Sequence, residues 1–388
     1  MSVSEKRTYR VRSTTRDVRK KSPTKPTVLE QYSFRTSLLS PPFLTFNSQL
    51  SINMKLGIIG TGRLGSFHAD KAVAHPNIEL AAVMDPSENS RKTLAAKHNV
   101  PDCATPDELF PLVDAVVIAA PTSTHYELGI RCLQRGLHVL MEKPMCASLS
   151  EAERLVEAAE ESNVVLQVGH VEEFNPAWTA AEPLLEKIRS GEPVLIDAVR
   201  CSGYTFRSTD VGAVFDMMIH DLDLVLSIVP SPIYSIDAVG FNVIGGPYED
   251  IANTRIRFAN GSVANFFASR VAPQVTRSMR LTTTSTTATI DFGSRTVSFV
   301  KPDSAVLRGT FAPDRISFDD AAKLAPTFMK EHFASEEIQS AAVDALALEM
   351  NDFVHSVQTG GVPQVSGKRA LVAVSVAENV VKAIRKTV

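Results

Sequence analysis

No stretch of this 388-residue chain strings together eighteen apolar residues, the minimum a membrane-spanning helix needs. The N-terminus also lacks the continuous apolar segment of a secretory signal. A cytoplasmic protein with no membrane partner is therefore expected. Cysteine is scarce, and the four present, at positions 103, 132, 146 and 201, show neither CxxC spacing nor pairing with histidines. That pattern argues against structural zinc and dithiol redox chemistry, so the thiols are expected to be reduced and structural. Net charge is only −3, but it is unevenly spread: residues 1–53 hold ten Lys or Arg against three Asp or Glu, and the remainder holds 30 against 40. An acidic body argues against nucleic acid as the partner of the whole protein.

The basic segment, residues 1–53, is rich in Ser, Thr and Arg and has no apolar periodicity, which predicts a disordered extension. A basic arm, an organellar transit peptide and an early start codon all fit it, and Met54 stands immediately before KLGIIGTG. A chain beginning at Met54 is expected to fold and bind cofactor as the full chain does. Loss of soluble expression in that truncated form would contradict this expectation.

From Met54 to about residue 170, short apolar runs alternate with helical ones: KLGIIG, IELAAVMD, DAVVIAAP, LHVLMEKP and VVLQVGH are separated by amphipathic stretches. Repeated strand and helix units with buried strands predict a doubly wound parallel sheet covered on both faces. After residue 171 the grammar changes. VFDMMIHDLDLVLSIV reads as one helix, and the next hundred residues are β-rich, with Asn260-Gly261 as a two-residue hairpin signal. Residues 171–388 are thus expected to form an α+β domain with a mainly antiparallel sheet, closed by helices over 339–359 and 367–386. No internal repeat is present.

The chemistry starts at GTGRLG, comprising Gly60, Thr61, Gly62, Arg63, Leu64 and Gly65, which follows a strand and opens a helix; Asp85 ends the next strand twenty residues on. The three glycines differ in what they do. Gly60 makes the tight turn, Gly62 lets backbone approach a pyrophosphate at the helix N-terminus, and Gly65 packs helix on strand. Asp85 should accept hydrogen bonds from ribose hydroxyls and repel a 2′-phosphate, favouring NAD over NADP, although Arg91 nearby complicates that preference. AAPTSTHYE places Pro121, Thr122 and His125 after another parallel strand, where cofactor contact and helix capping by Thr122 or Ser123 are both open. LHVLMEKP ends in Glu142 and Lys143. That lysine is either solvated in a turn or aimed at a bound molecule. In FDMMIHDLD, Asp216 and His220 stand four apart on one helix face, so the carboxylate could fix the imidazole tautomer, in a structural or a catalytic role. Asp221 and Asp223 are expected to cap or solvate that helix, and no second ligand cluster suggests a metal.

Taken in order, GTGRLGSFH, the strand-end Asp, AAPTSTH, MEKP, GHVEEFNPA and DMMIHDLD resemble the Gfo/Idh/MocA oxidoreductases along essentially all of residues 54–388. The resemblance implies a Rossmann domain, then an open antiparallel sheet with one face lining the active site and the other making subunit contacts, hence a homo-oligomer, a dimer or tetramer. It implies that Lys143 lies beside the nicotinamide and the reacting hydroxyl, with Glu142 in the cofactor-binding motif and Asp216 and His220 completing the catalytic site. Many relatives carry Arg where this chain has Glu173, and that lost positive charge bears on the substrate. The GHVE-x-FNPA style is most similar to the branch of UDP-N-acetylglucosamine 3-dehydrogenases and related sugar-nucleotide enzymes. An NAD-dependent dehydrogenase of a sugar, sugar nucleotide or cyclitol is implied, with His220 or Lys143 taking the hydroxyl proton. A non-catalytic dinucleotide sensor of the same fold is the alternative, but a sensor has no chemical reason to keep Lys143, Asp216 and His220 together.

Overall fold

The computed structural model describes residues 53–387, so the disorder expected of residues 1–53 falls, save for Asn53, outside the described residues. From Met54 the elements run β1 (Met54–Ile59), α1 (Arg63–Ala74), β2 (Ile78–Met84), α2 (Glu88–His98), β3 (Asp102–Cys103), β4 (Ala115–Ile118), α3 (Thr122–Leu133), β5 (His138–Glu142), α4 (Leu149–Glu161) and β6 (Leu166–Gly169). The strands form one sheet in the order β3-β2-β1-β4-β5-β6, and their pairings are parallel. All four residues of β4 are buried, as a strand covered on both faces requires. The order reverses between β1 and β4. A crevice therefore opens at their carboxyl ends, which is where such sheets collect ligands.

The second sheet is built from β7 (Leu195–Cys201), β8 (Ile233–Phe241), β9 (Ile251–Phe258), β10 (Val263–Ser269), β11 (Thr276–Thr282), β12 (Thr287–Asp291), β13 (Thr296–Pro302) and β14 (Phe333–Gln339), with helix α5 (Ile219–Ile228) between β7 and β8. Its order is β14-β13-β12-β11-β7-β10-β9-β8, antiparallel except for the β7–β10 pair. Along β9, Ala252, Thr254, Ile256 and Phe258 are buried while Asn253, Arg255 and Arg257 are exposed, so one face carries the core and the other is open. The hairpin expected at Asn260-Gly261 is there, but the loop is longer than two residues. Only Gly261 adopts a positive φ, +89°, whereas a type I′ turn needs two such residues; the Asn260 side chain instead accepts the Ser262 N–H at 3.1 Å.

Two features lie beyond the sequence expectations. Three short helices fill residues 304–332, and β14 follows them as a strand with no apolar alternation. Helix α6 (Ala345–Thr359) returns to the first sheet, where Met350, Phe353 and Val354 pack with Leu56, Ile58, Ala69, Leu80 and Leu140. Helix α7 (Gly367–Thr387) lies along α4, α5 and β8. All four cysteines are buried free thiols, and burial pushes the Cys132 thiol up to about 12, which suits a structural role. Among the described residues no helix is long and apolar enough to cross a membrane.

Candidate active site

Strand β1 delivers the glycine-rich turn to the crevice. Gly60 has φ +93°, and a Cβ there would sit 2.5 Å from the Ala119 carbonyl oxygen; one on Gly65 would come within 1.8 Å of the Gly60 carbonyl oxygen. Gly65 therefore packs the helix against the turn itself as well as against β1. At Gly62 the situation is opposite: nothing lies within 4 Å of where a Cβ would be. No side chain caps α1, and its first turn holds no acidic residue, so its leading N–H groups face an open, positively polarised space. That space suits a pyrophosphate. Arg63 and Leu64 border it as exposed residues, and the Thr61 hydroxyl beside it is buried without a partner.

Asp85 is at the end of β2, as expected, and its carboxylate is already ordered by the loop: Thr61 N–H and Ser87 N–H each donate to it at 2.8 Å. Arg91 stays beside this loop, its Nε donating to Asp102 at 3.0 Å and its Nη1 to the Pro86 carbonyl oxygen at 3.5 Å, so Asp102 competes with a 2′-phosphate for its charge. Replacing Asp85 with Ser should weaken NAD binding by about 1.5 to 3 kcal/mol for each charge-assisted hydrogen bond lost and narrow the advantage over NADP. Titration of both cofactors against the variant checks this; unchanged affinity for both would remove Asp85 from the ribose site.

At the end of β4, Pro121 is exposed and Thr122 buried. Neither Thr122 nor Ser123 caps α3. The Ser123 N–H instead donates to Asp210, in the segment after β7, at 3.1 Å, tying that segment to the start of α3. His125, expected at the cofactor, is 1% exposed. Its two ring nitrogens lie 2.9 Å from the carbonyl oxygens of Pro144 and Ala120, so the ring braces the ends of β4 and β5 and has no nitrogen left for a ligand.

Strand β5 brings Glu142 and Lys143 to the same edge, followed by a cis Lys143–Pro144 peptide. Glu142 faces inward rather than toward a cofactor: it accepts His68 Nε2 at 2.7 Å and the Lys143 N–H at 3.2 Å. Burial opposes its charge, but His68 and Lys143 outweigh burial and hold the carboxyl below its ordinary range. Lys143 extends into the crevice, where Nζ donates to Asp216 O at 2.7 Å and to Asp216 Oδ1 at 3.1 Å. The expected Asp216–His220 hydrogen bond is not formed. Residues Val214–Met218 make a π-helical turn, whose wider winding removes the i, i+4 stacking of an α-helix, and the carboxylate goes to the lysine. His220 Nδ1 is left buried without a partner. Burial foremost, then the charges of Lys143, Arg200 and Arg277, hold the His220 imidazole well below its ordinary value. It is a neutral ring at neutral pH.

Asp221 and Asp223, expected to cap or solvate α5, are both buried. Arg200 grips Asp221 with two hydrogen bonds, at 3.1 and 2.8 Å, and donates to Glu172 at 2.8 Å. Burial works against the Arg200 charge, but Asp221 and Glu172 more than offset it. Arg369 on α7 donates to Asp223 at 3.2 and 2.8 Å and to Glu173. Glu173 also accepts from Ser227 at 3.0 Å and Gln364 at 3.1 Å. The Glu173 departure therefore lies in the core beneath the site, where Arg369 supplies the positive charge, and it does not reach the crevice. The acidic doublets Glu172/Glu173 and Asp221/Asp223 within apolar surroundings were a usable signal, since buried carboxylates demand cations. The partners were not legible, because Arg369 is 146 residues from Asp223.

Behind Glu142, on α6, Glu349 is fully buried with both carboxyl oxygens unpartnered. Burial first, then the charges of Glu142 and Asp352, push it well above the ordinary carboxylate range. The folded chain thus binds this proton more tightly than the unfolded one, so Glu349's contribution is whole below the unfolded carboxyl value and is lost as pH rises through the folded value. Glu349→Gln fixes the neutral form. Its melting temperature should gain on the parent as pH rises above the ordinary carboxyl range and show no gain below that range; a difference independent of pH would mean the acid is not neutral in the fold.

Comparison with known proteins bears on the family and the fold. Residues 54–170 match the family described as an oxidoreductase family with an NAD-binding Rossmann fold, and residues 181–290 match the Gfo/Idh/MocA C-terminal domain. The chain is 32% identical to the UDP-N-acetylglucosamine 3-dehydrogenase of Acidithiobacillus ferrooxidans over 79% of its own length and 89% of that protein's. A solved structure of a UDP-N-acetylglucosamine 3-dehydrogenase from that organism superposes with TM-score 0.72 at 30% identity, covering 86% of this chain and 98% of that one. A scyllo-inositol 2-dehydrogenase (NAD(+)) of Bacillus subtilis is 30% identical over 57% of this chain and 68% of its own.

Proposed function

Because the chain belongs to the Gfo/Idh/MocA oxidoreductase family, we propose that it oxidises a secondary hydroxyl of a sugar nucleotide, with C3 of UDP-N-acetylglucosamine as the substrate position, or runs the reverse reaction. The observation that supports this reading is the Lys143–Asp216 contact at the end of β5, with His220 near enough for the lysine charge to act on its ring; the open backbone at Gly62 follows β1 of the same sheet. Free sugars and cyclitols are the neighbouring substrate class.

Gly62, the α1 N-terminus and Asp85 fit a dinucleotide: open backbone for the pyrophosphate, a carboxylate for the ribose. Bound NAD supplies an acceptor for the hydride that leaves the carbinol carbon. The protein must take the remaining hydroxyl proton. His220 enters neutral, and Nε2 is the nitrogen free to accept it. Lys143, held by Asp216, donates to the substrate oxygen and stabilises the alkoxide character that develops as the O–H bond breaks. Incubating the full chain with NAD and a panel of UDP-sugars, free sugars and cyclitols tests the substrate class by growth of reduced-nicotinamide absorbance. Turnover of cyclitols alone would replace the sugar-nucleotide reading.

The open face of the second sheet supports self-association. By register, Val239, Phe241, Asn253, Phe267 and Leu195 share that face, and the four apolar ones are exposed. A patch of this kind marks an interaction surface. A dimer or tetramer in sedimentation velocity is expected, and a monomer at micromolar concentration would exclude it.

A further inference from the structure

His170 follows β6 at the same sheet edge as Lys143. It is 1% exposed, and neither ring nitrogen has a hydrogen-bond partner. Its ring stands edge-on to His220, centroids 6.2 Å apart and planes at 85°. His220 Nδ1 is likewise buried and unpartnered. Three orphaned nitrogens on two adjoining rings call for a shared explanation, because buried polar groups are satisfied by protein or by ordered water. No direct hydrogen bond joins the rings. One water between them, or a small rotation of either, would satisfy His220 Nδ1 and one nitrogen of His170 together.

We propose that His170 is the positioning residue of His220: it accepts the His220 Nδ1–H, directly or through one water, and so turns the Nε2 lone pair toward the crevice. The spacing of Asp216 and His220 suggested this role for Asp216, but that carboxylate is committed to Lys143. The proposal rests on the reading of His220 as proton acceptor. A neutral His170 is required, since an imidazolium has no acceptor nitrogen. Its surroundings provide that state: burial first lowers its proton affinity, Asp223 raises it, Arg369 and Lys143 lower it, and Glu142 raises it, the net effect being downward. Around His220, Lys143, Arg200 and Arg277 add further positive charge, so a neutral imidazole behind the ring accepts the N–H without bringing another cation.

Long-range ¹⁵N correlation spectra of the histidine side chains in the full chain read the His220 tautomer without any substrate. The wild-type protein should show the Nδ1–H form, and His170→Phe, which keeps a ring but removes both nitrogens, should show a mixture or the Nε2–H form. With UDP-N-acetylglucosamine and NAD, His170→Phe should lower kcat on the order of 10- to 100-fold with KM and NAD affinity little changed, as loss of an orienting partner does. His170→Gln should restore most of that loss. In a His220→Asn background the Phe substitution should add less than about twofold. An Nε2–H tautomer in the wild type, an Nδ1–H tautomer that survives in His170→Phe, or an equal loss in the His220→Asn background would each overturn the proposal. If His170→Phe fails to fold, the wild-type tautomer and that of His170→Gln, where Nδ1–H must persist, decide the matter. Absence of turnover with UDP-N-acetylglucosamine would count against the substrate reading, while the tautomer still tests His170.

Discussion

Replacing Lys143 with Met is expected to lower kcat by about 10²- to 10⁴-fold, the range for removing a positioned proton-transfer group, while NAD binds as in the parent chain. Methionine keeps most of the apolar stem. It deletes the ammonium that donates to Asp216 and, by the mechanism above, to the substrate oxygen. His220→Asn should fall in the same range, again with NAD binding preserved. Because both groups serve one proton transfer, the double variant should lose far less than the product of the single losses. Asp216→Asn extends the test: the carboxylate is bonded to Lys143 and not to His220, so its loss should be largely absorbed when Lys143 is already Met. If either single variant of Lys143 or His220 turns over substrate within about threefold of the parent, that residue does not act on the reacting hydroxyl.

Arg200→Met should destabilise the fold by about 3 to 5 kcal/mol, the cost of breaking a buried ion network from one side. Arg200, Glu172 and Asp221 are all buried. Losing the guanidinium leaves two carboxylates close together with no cation between them, and neither can be solvated. The urea midpoint measures the loss directly. Neutralising the carboxylates as well, in Arg200→Met with Glu172→Gln and Asp221→Asn, should recover part of it, because no uncompensated charge then remains. A loss below about 1 kcal/mol for Arg200→Met would mean that water reaches the site and that the network acts as a surface pair does.

Much of the architecture was legible because local rules and the global fold agree. Gly60, Gly62, Gly65 and Asp85 lie where the turn-and-helix logic puts them, and each glycine has a distinct steric reason. Lys143 could be assigned to an edge because β5 is short and apolar and stops at Pro144. What was not legible has identifiable causes. The π-helical turn at Val214–Met218 is invisible to a periodicity reading, so the partner of Asp216 was misassigned. His125 and Glu142 carry cofactor-motif positions, but their side chains turn inward to bind backbone carbonyls and His68. Asp221 and Asp223 looked solvated because their guanidinium partners come from β7 and α7, far away in sequence. Strand β14, with the sequence FASEEIQ, lacks apolar alternation because it sits at a sheet edge with little to bury.

The most direct measurement uses UDP-N-acetylglucosamine carrying deuterium at C3, incubated with NAD and the full chain. The mechanism predicts that reduced-nicotinamide absorbance rises, that the reduced nicotinamide carries the deuterium, and that Lys143→Met slows both by about 10²- to 10⁴-fold while still binding NAD. Contradiction would be a chain that binds NAD normally yet reduces none of it with this compound or with any of the other UDP-sugars, free sugars and cyclitols in the panel.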